Sequence, residues 1–496
     1  MIMQAGLWVF VGKLGSQAAR FVLVIVLARL LTPEAFGIVA AAQVIIALSD
    51  VVVRFGIGAA LIQSEKVSER MERTALTMMT MTTVVICCVL LAISSPLARF
   101  MQVPELVEIM PVLLVTFSAA ALANPSTSLI ARDMNFRFLA SVNVGTYIFG
   151  YGLIAVVLAL LGFSYWSLIL GSMVQSVALA VLVFRRRPIK LRPLIAREEA
   201  RHLLYFGGGV FLSQSMSTAA RRLDNVLVSA IFGPASLGFY SRAYALIDMT
   251  NSLLGSVFRE TLFSGFSKKR REGKSGTTEI DAFLMAHAFA ALIILPISAM
   301  MFILANELVF VLLGDQWAPV VPLLEVLALG MYFRLAYKVS NTFNVAAGKV
   351  YYTAALNTIY AAVVVGFSYV LAKMMGDPVG VAYAVLLALV LHTILMTRRA
   401  TRELSLDVRR LFWSLRPYMI ASAVGSLAVI AVRVFYGEGA KSEETLVSLI
   451  SAVLWVACYA AVLVLFRNDP TFSGVMSRLK GFLHRIRSSK NGKTKP

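Results

Sequence analysis

The sequence predicts an all-α polytopic membrane protein with about 14 transmembrane helices, arranged as two pseudo-symmetric six-helix lobes plus two extra C-terminal helices. Three observations predict this fold class: the composition, the lengths of the apolar stretches and the placement of the basic residues. Of the 496 residues, 59% are hydrophobic and 15% are charged, whereas soluble proteins carry about 25% charged residues. The chain therefore lacks the polar surface that a soluble fold of this length requires.

Fourteen apolar stretches are long enough to cross a bilayer, since a membrane-spanning helix takes about 20 residues. Charged, proline and glycine residues mark their ends. In chain order they cover residues 7–31, 36–62, 74–95, 109–131, 139–162, 164–184, 203–232, 235–262, 280–304, 319–347, 351–373, 378–397, 416–436 and 446–466. We assign residues 1–200 to the N-terminal lobe, 201–400 to the C-terminal lobe, 401–466 to helices 13 and 14, and 467–496 to a basic cytoplasmic tail.

The basic residues support this number of spans and set the orientation. If the N-terminus is cytoplasmic, the inner segments hold 32 Lys and Arg residues, and the outer segments with their borders hold five. Because basic residues are retained on the cytoplasmic side, both termini are expected in the cytoplasm. The net charge of +20 therefore reflects topology, and no nucleic-acid partner is expected. The basic tail is expected either to contact anionic lipid heads or to stay solvated.

An internal repeat divides the first twelve helices. A shift of 201 positions and, later in the chain, a shift of 214 positions align identical residues in equivalent apolar stretches. The aligned pairs are Ser16–Ser217, Ala18–Ala219, Ala19–Ala220, Arg20–Arg221, Pro33–Pro234, Gly37–Gly238, Asn143–Asn357 and Gly162–Gly376. Duplicated helical bundles with a binding site between them are typical of transporters. The repeat therefore predicts a transporter, with helices 13 and 14 outside the repeat.

Charged and polar side chains recur at helical spacing inside the predicted spans, which places them in stripes on helix faces. One Arg or Lys at mid-membrane costs roughly 2.5–3.5 kcal/mol against lipid, so the stripes must face a protein interior or a water-filled cavity. Their cations outnumber their carboxylates, and the planar guanidinium group matches phosphate oxygens. A phosphate-bearing substrate is therefore predicted. The predicted substrate-binding residues are Lys13, Gln17, Arg20, Arg54, Arg221, Tyr244, Arg334 and Lys338.

Four carboxylates within the spans are candidates for coupling transport to an ion gradient. They are Asp50, Asp224, Asp248 and Glu325. Each is also suited to neutralising a nearby arginine. The close pairs Asp50–Arg54 and Arg221–Asp224 fit a purely structural role in joining helices equally well, and the sequence leaves both roles open.

Motifs of other functional classes are missing from the sequence. The fragment Gly273-Lys274-Ser275 ends like a phosphate-binding loop, but Lys268 stands where that motif needs its first glycine. The three cysteines form no C-x-x-C and the four histidines form no ligand cluster, so neither a metal nor another cofactor is predicted. Short outer loops leave no room for a catalytic domain, which favours a secondary transporter over an enzyme.

Four segments carry a resemblance to a known family, and together they extend over most of the chain up to about residue 415. They are ARLLTPEAFGIVAAAQVI at 28–45, LIARDMNFRFLA at 129–140, DNVLVSAIFGPASLGFYSRAYAL at 224–246 and LLGDQWAPVVPLLEVLAL at 312–329. Their order and spacing resemble the Wzx-type oligosaccharide flippases of the polysaccharide transporter family. These flippases are relatives of the MATE exporters within the multidrug/oligosaccharidyl-lipid/polysaccharide superfamily.

The resemblance implies two six-helix lobes around a central cationic cavity in the bacterial inner membrane. It implies alternating access that moves an undecaprenyl-pyrophosphate-linked oligosaccharide to the periplasmic leaflet, as in exporters for exopolysaccharides such as succinoglycan or colanic acid. Membrane lipids, a polysaccharide polymerase and a chain-length regulator are the implied partners. The aromatic side chains available to stack on sugars are Tyr147, Tyr151, Trp166, Tyr240, Tyr244, Tyr332 and Phe333.

Three alternatives stay open at this point. A flippase for the peptidoglycan lipid precursor shares the fold and the charge of the cavity. A MATE-like drug exporter would favour a carboxylate-rich cavity, because its substrates are cations. A membrane polymerase or ligase of lipid-linked sugars would need an accessible outer loop, whereas one of the longest outer loops, 305–318, is short and mostly apolar.

Overall fold

Helices joined by short turns make up the described part of the protein. The computed structural model describes residues 2–271, 277–436, 441–469 and 472–477. Within these ranges, ten helices are long and apolar enough to cross a membrane. The predicted all-α membrane fold is therefore confirmed, and the total of 14 spans stays a prediction.

The chain packs as two compact units, each assembled from separate stretches of sequence. The first unit comprises Met1–Met249, Leu312–Val320 and Asn357–Ala384, and the second comprises Thr250–Val311, Val321–Leu356 and Val385–Pro496. Two late segments therefore complete the first unit. The predicted division into lobes at 1–200 and 201–400 stays a prediction.

The helices follow one another along the chain with mostly short connections. Up to residue 271 they are α1 (Ile2–Leu30), α2 (Pro33–Arg54), α3 (Ile57–Gln63), α4 (Glu69–Ala92), α5 (Ser94–Phe100), α6 (Leu106–Arg132), α7 (Phe136–Gly145), a π-helix (Thr146–Leu153), α8 (Ile154–Leu160), α9 (Ser164–Arg186), α10 (Arg197–Ala220) and α11 (Leu223–Arg271). From residue 277 they are α12 (Thr277–Ile303), α13 (Ala305–Leu312), a 3-10 turn (Asp315–Trp317), α14 (Val320–Leu329), α15 (Met331–Ala346), α16 (Val350–Met375), α17 (Val379–Glu403), α18 (Val408–Tyr436) and α19 (Lys441–Leu465).

The second helix shows how the local sequence sets a boundary. The Thr32 hydroxyl oxygen accepts a hydrogen bond from the Ala35 N–H at 3.3 Å, which caps the first turn of α2. Pro33 occupies the first helical position, where a missing N–H leaves no hydrogen bond unmade. The helix ends at Phe55, which has a left-handed backbone with φ of 36°. Residues 35–42 are all buried, so this end of α2 packs closely against its neighbours.

The two sequence repeats meet at the glycines that the 201-residue shift aligns. A Cβ at Gly37 would collide with the carbonyl oxygen of Pro234, and a Cβ at Gly238 would collide with the carbonyl oxygen of Pro33. The contact is reciprocal, because each glycine lies against the proline of the other repeat. Only glycine lets two backbones approach this closely. Gly37 and Gly238 are therefore equivalent in structure as well as in sequence.

The predicted seventh span, 203–232, is interrupted, so the prediction of one continuous helix is wrong. Arg221 and Arg222 form a turn between α10 and α11. The Asp224 side chain accepts a hydrogen bond from the N–H of Asn225 at 2.8 Å, and such local bonds favour a helix start over a continuing helix.

A second interruption lies within α11, at Gly233. This residue has φ of 78° and ψ of −175°, a conformation that a residue with a Cβ rarely adopts. Pro234 follows and starts the next helical stretch. The predicted boundary between the spans 203–232 and 235–262 is therefore confirmed.

The outer loop predicted at 305–318 is partly helical, and its end docks onto α1. Trp317 is fully buried, and its indole N–H donates a hydrogen bond to the Ala28 carbonyl oxygen at 2.8 Å. The Gln316 side-chain amide donates to the same oxygen at 2.8 Å. The Phe36 ring meets the indole edge-on, with centroids 5.4 Å apart. Two side chains from a distant segment thus satisfy a carbonyl in the last turn of α1, which has no partner within its own helix.

In the second unit, α18 and α19 pack with α12 around a buried aromatic cluster. The Tyr459 hydroxyl donates to the Leu292 carbonyl oxygen at 2.8 Å, and the Trp455 and Tyr459 rings stack with centroids 5.1 Å apart. The helices predicted as 13 and 14 are therefore part of this core. Most of the predicted tail, 467–496, lies outside the described residues.

Candidate functional site

Two arginines of the first unit lie over aromatic rings. The guanidinium carbon of Arg20, on α1, is 5.2 Å from the Tyr147 ring centroid. That of Arg242, on α11, is 4.3 Å from the Phe36 ring centroid. Both arginines lie within electrostatic range of the hydroxyls of Tyr147 and Tyr151. We call Arg20, Arg242, Phe36, Tyr147 and Tyr151 the arginine–tyrosine cluster.

The two tyrosines of the cluster stand on the π-helix Thr146–Leu153. Turns of this type are rare and are found frequently at functional sites. Here Tyr147 and Tyr151 stack, with ring centroids 5.2 Å apart and planes inclined by 24°. The cluster therefore combines a flat aromatic surface with two positive charges.

Arg242 combines a buried nitrogen with an aromatic contact. Its Nε atom is buried and has no hydrogen-bond partner within the described part of the chain. Stacking on Phe36 stabilises the guanidinium by about 0.5–2 kcal/mol. Stacking covers only a flat face of the guanidinium and does not use its N–H donors.

Sequence reasoning missed Arg242. The residues predicted on this helix are Tyr244 and Asp248, and Arg242 lies two positions before Tyr244. A simpler signal would have found this residue. Any ionisable side chain inside a membrane-spanning stretch is a candidate functional group, whatever its spacing.

Asp224 forms a second polar centre, with tyrosines of the same helix. Its side chain is 3% exposed. One carboxylate oxygen accepts hydrogen bonds from the hydroxyls of Tyr240, at 3.1 Å, and Tyr244, at 2.8 Å. Both tyrosines follow the kink at Gly233, so the carboxylate joins the two parts of α11. The predicted roles of Asp224 in ion coupling and of Tyr244 in substrate binding stay predictions.

The predicted pair Asp50–Arg54 is confirmed. The Nε atom of Arg54 lies 2.7 Å from each carboxylate oxygen of Asp50. The two side chains are 46% and 27% exposed, and a pair with this exposure contributes at most about 1 kcal/mol. The pair therefore fixes the orientation of Arg54 more than it stabilises the fold.

The other predicted site residues are distributed over both units. Arg221 is exposed in the turn after α10, and its guanidinium donates to the Thr218 hydroxyl at 3.4 Å. The Lys13 side chain lies outside the described part of the chain. The remaining predicted residues are Gln17 on α1, Asp248 on α11, Glu325 on α14, and Arg334 and Lys338 on α15.

The described residues hold no group of three or more His, Cys, Asp or Glu side chains that could bind a metal ion. The chemistry that the arginine–tyrosine cluster offers is the binding of an anion. Two guanidinium groups can each donate paired hydrogen bonds to phosphate oxygens. The adjacent aromatic pair offers an apolar face to whatever the phosphate is attached to.

Fold and site together define a multi-pass membrane protein with a cationic cluster among its helices. Residues 26–322 match the family described as polysaccharide biosynthesis protein, and the chain belongs to this family. It is 23% identical over 388 residues to the teichuronic acid biosynthesis protein TuaB of Bacillus subtilis (strain 168), which covers 77% of this chain and 78% of that protein. It is 25% identical over 322 residues to the succinoglycan biosynthesis transport protein ExoT of Rhizobium meliloti (strain 1021), which covers 65% of this chain and 64% of that protein.

Solved structures of transporters share the fold. The lipid II flippase MurJ in an inward closed conformation matches with a TM-score of 0.75 and 13% identity, covering 94% of this chain and 99% of that one. A multidrug resistance MATE family transporter in an inward-facing conformation matches with a TM-score of 0.63 and 15% identity, covering 80% of this chain and 98% of that one. At these identities the likeness establishes the fold alone. The predicted relation to the MATE exporters is confirmed at that level.

Proposed function

We propose that this protein is a flippase for an undecaprenyl-pyrophosphate-linked oligosaccharide, working in exopolysaccharide biosynthesis. It moves the repeat unit from the cytoplasmic to the periplasmic leaflet of the bacterial inner membrane. The observation that carries this proposal is the arginine–tyrosine cluster, which sets two guanidinium groups beside stacked aromatic rings. Membership of the polysaccharide biosynthesis family supports the pathway, and one relative is named as a succinoglycan biosynthesis transport protein.

The pyrophosphate binds to Arg20 and Arg242. A charge-assisted hydrogen bond contributes about 1.5–3 kcal/mol, and two guanidinium groups match the two phosphates of the linker. The stacking of Arg20 on Tyr147 and of Arg242 on Phe36 holds both side chains in place before the substrate arrives. Less conformational entropy is then lost on binding.

The first sugar binds to the tyrosine pair. Tyr147 and Tyr151 offer their ring faces to the apolar side of a pyranose, and their hydroxyls offer hydrogen bonds to its hydroxyl groups. Phosphate and sugar are adjacent in a lipid-linked oligosaccharide, as the arginines and tyrosines are in the cluster. The undecaprenyl tail needs no polar contact and stays in the bilayer.

The remaining predicted cations and carboxylates keep their proposed roles. Lys13, Gln17, Arg54, Arg221, Tyr244, Arg334 and Lys338 are further candidates for substrate binding, and Asp50, Asp224, Asp248 and Glu325 are candidates for ion coupling. The protein acts by alternating access as a secondary transporter, not as an enzyme. Its termini lie in the cytoplasm, and a polysaccharide polymerase and a chain-length regulator are its proposed partners.

A reconstituted flipping assay tests this function. Purified protein is placed in liposomes with a fluorescent undecaprenyl-pyrophosphate oligosaccharide, and a membrane-impermeant quencher reports which leaflet holds the label. We expect transfer faster than in empty liposomes. Arg242→Ala should slow it roughly tenfold to a hundredfold, because about 1.5–3 kcal/mol of binding is lost. Arg242→Lys keeps the charge but loses the fork, so it should restore only part of the rate.

The matched control is Arg416→Ala, which removes another arginine stacked on an aromatic ring. The guanidinium carbon of Arg416 lies 4.9 Å from the Trp413 ring centroid, and the residue belongs to the second unit. The flipping rate of Arg416→Ala should equal that of the unaltered protein. Equal losses in Arg242→Ala and Arg416→Ala would argue against a specific anion site.

Further arms of the same assay separate the alternatives. Faster transfer of the peptidoglycan lipid precursor than of any undecaprenyl-linked repeat unit would identify a precursor flippase. Transfer of cationic drugs without transfer of lipid-linked sugars would identify a drug exporter. Elongated sugar products in the liposome extract would identify a polymerase or ligase and refute the transport function.

A further inference from the structure

A chain of three polar side chains crosses the interior of the second unit. His287, on α12, is 1% exposed. Its Nε2 atom lies 3.2 Å from the hydroxyl oxygen of Ser340, on α15. That oxygen lies 3.0 Å from the hydroxyl oxygen of Thr397, on α17. Three helices thus contribute one side chain each to a continuous hydrogen-bonded relay.

The other ring nitrogen of His287 has no hydrogen-bond partner among the residues that the structure describes. Nδ1 is buried, and the ring lies against Phe283 with centroids 4.7 Å apart. A buried polar atom left without a partner costs about 1–3 kcal/mol. An ionisable side chain kept inside a membrane-spanning helix at such a cost indicates a function.

The relay can run in two directions, because Ser340 has one hydroxyl proton and two neighbours. In one direction Thr397 donates to Ser340, Ser340 donates to Nε2, and the ring proton is on Nδ1. In the other direction Nε2 donates to Ser340, Ser340 donates to Thr397, and Nδ1 carries a lone pair. A change of direction therefore moves one proton across the imidazole ring.

The proton balance of one passage is complete. A proton that binds to Nδ1 makes the ring an imidazolium. The proton on Nε2 then passes to the Ser340 oxygen while the Ser340 hydroxyl proton passes to Thr397, which releases its own proton to water. One proton enters and one leaves, and each side chain returns to its neutral form. Thr397 ends the predicted span 378–397, so release is expected on the cytoplasmic side.

Two carboxylates on the surrounding helices form ion pairs elsewhere. Asp281, on α12, forms an ion pair with Arg410 of α18 at 3.6 Å, and Glu403, on α17, forms one with Arg399 at 3.3 Å. Tyr337, on α15, packs its ring against His392 at 5.1 Å, and Tyr418 of α18 is fully buried. Among the described residues His287 forms no ion pair with a carboxylate, so the relay favours a passing proton over a permanent charge.

We infer that the relay His287–Ser340–Thr397 is a proton-binding site that couples movement of the lipid-linked substrate to the proton gradient. The inference rests on the proposed function and adds the identity of the coupling ion to it. It assigns coupling to an imidazole, where the sequence suggested carboxylates.

The test measures the flipping assay with and without a pH gradient across the liposome membrane. For one coupled proton, a gradient of one pH unit shifts the steady-state ratio of substrate between leaflets by about tenfold. His287→Gln keeps a polar side chain of similar size, and its ratio of substrate between leaflets should no longer respond to the pH gradient. Thr397→Val breaks the relay without changing its volume and should lose the response in the same way.

The matched control is His392→Gln, a second buried histidine of the second unit, whose ring hydrogen-bonds the backbone of Leu356. It should keep the tenfold response. If the unaltered protein flips its substrate and His287→Gln responds to pH as strongly as the unaltered protein, the relay is not the coupling site. If the unaltered protein flips without any response to pH, proton coupling is refuted. If it flips nothing at any gradient, the proposed function fails and this inference fails with it.

Discussion

Arg242 and Asp224 show two ways in which a single charge is accommodated among apolar helices. Arg242 places its guanidinium over the Phe36 ring, at 4.3 Å from the centroid. Asp224 accepts hydrogen bonds from two tyrosine hydroxyls and one backbone N–H. In the first arrangement an aromatic ring covers one face of the guanidinium, and in the second the carboxylate uses its acceptors within the fold. The same physical problem is therefore met by an aromatic ring in one case and by hydrogen bonds in the other.

Replacing Asp224 should destabilise the protein. In Asp224→Ala, the hydroxyls of Tyr240 and Tyr244 lose a buried acceptor, and each unsatisfied group costs about 1–3 kcal/mol. We expect the free energy of unfolding to fall by about 2–5 kcal/mol, measured as a lower thermal midpoint in detergent. Asp224→Asn keeps one acceptor, so its thermal midpoint should lie between those of Asp224→Ala and the unaltered protein.

The control for this prediction is Asp248→Ala, which removes an exposed carboxylate from the same helix. Its free energy of unfolding should stay within about 0.5 kcal/mol of that of the unaltered protein, the usual range for surface substitutions. An Asp224→Ala protein as stable as the unaltered one would assign the carboxylate to function alone.

At the scale of single residues, the sequence predicted contacts within one helix better than contacts between distant parts of the chain. The pair Asp50–Arg54 follows from i, i+4 spacing and was found as predicted. Arg242 and His287 were not selected, because spacing rules look for companions on one helix. The companions of these two residues, Phe36 and Ser340, come from distant parts of the chain and are brought close only by tertiary packing.

At the scale of helices, the repeat was the strongest signal. Identical residues 201 positions apart predicted equivalent helices, and Gly37 and Gly238 are found in reciprocal contact. The turn at Arg221 was missed because no glycine or proline marks it. Its counterpart in the first repeat, Arg20, lies within the continuous helix α1. Equal sequence at aligned positions therefore does not ensure equal backbone structure.

Adding a methyl group at either aligned glycine should disrupt the contact between α2 and α11. In Gly37→Ala or Gly238→Ala the new Cβ would meet a proline carbonyl oxygen of the other repeat, which cannot move without shifting its helix. Overpacking of this kind costs about 1–3 kcal/mol. We expect a lower thermal midpoint and slower flipping in both variants.

Gly145→Ala is the matched control for these substitutions. Gly145 ends helix α7, and no atom lies within 4 Å of a Cβ placed there. Alanine has the higher helix propensity, so this variant should be as stable as the unaltered protein or more stable by up to about 1 kcal/mol. Equal midpoints for all three variants would contradict the close contact.

At the scale of the whole molecule, composition and charge placement were sufficient to predict the fold class. A chain with 59% hydrophobic residues must bury its surface in lipid, and long apolar stretches can cross lipid only as helices. The assignment of 312–320 and 357–384 to the first unit could not be predicted. It depends on which helices pack together, and the apolar pattern of a span does not specify its neighbour.

The predicted orientation of the whole chain can be tested by cysteine labelling. The native Cys87, Cys88 and Cys458 are first replaced by serine, and single cysteines are then placed at Lys66 or at Lys373. Because basic loops stay in the cytoplasm, an impermeant maleimide should label position 66 only in inside-out vesicles. It should label position 373 only in right-side-out vesicles.

A cysteine at Asn306 serves as a second outer position, in the segment predicted at 305–318. Like position 373, it should be labelled only in right-side-out vesicles. Labelling of positions 66 and 306 from the same side would contradict the predicted number of spans between them.

The docking of Trp317 and Gln316 onto α1 sets an order of events during synthesis. The carbonyl of Ala28 receives its hydrogen bonds from residues made as many as 289 positions later. At about 5–20 residues per second, the ribosome takes roughly 15–60 seconds to supply them. Throughout that time the end of α1 is unfinished, although the helices of the first repeat have already left the ribosome. The first unit therefore matures only after the first segment of the second unit, 250–311, has been translated, so the nascent chain must be held in the membrane as an open intermediate.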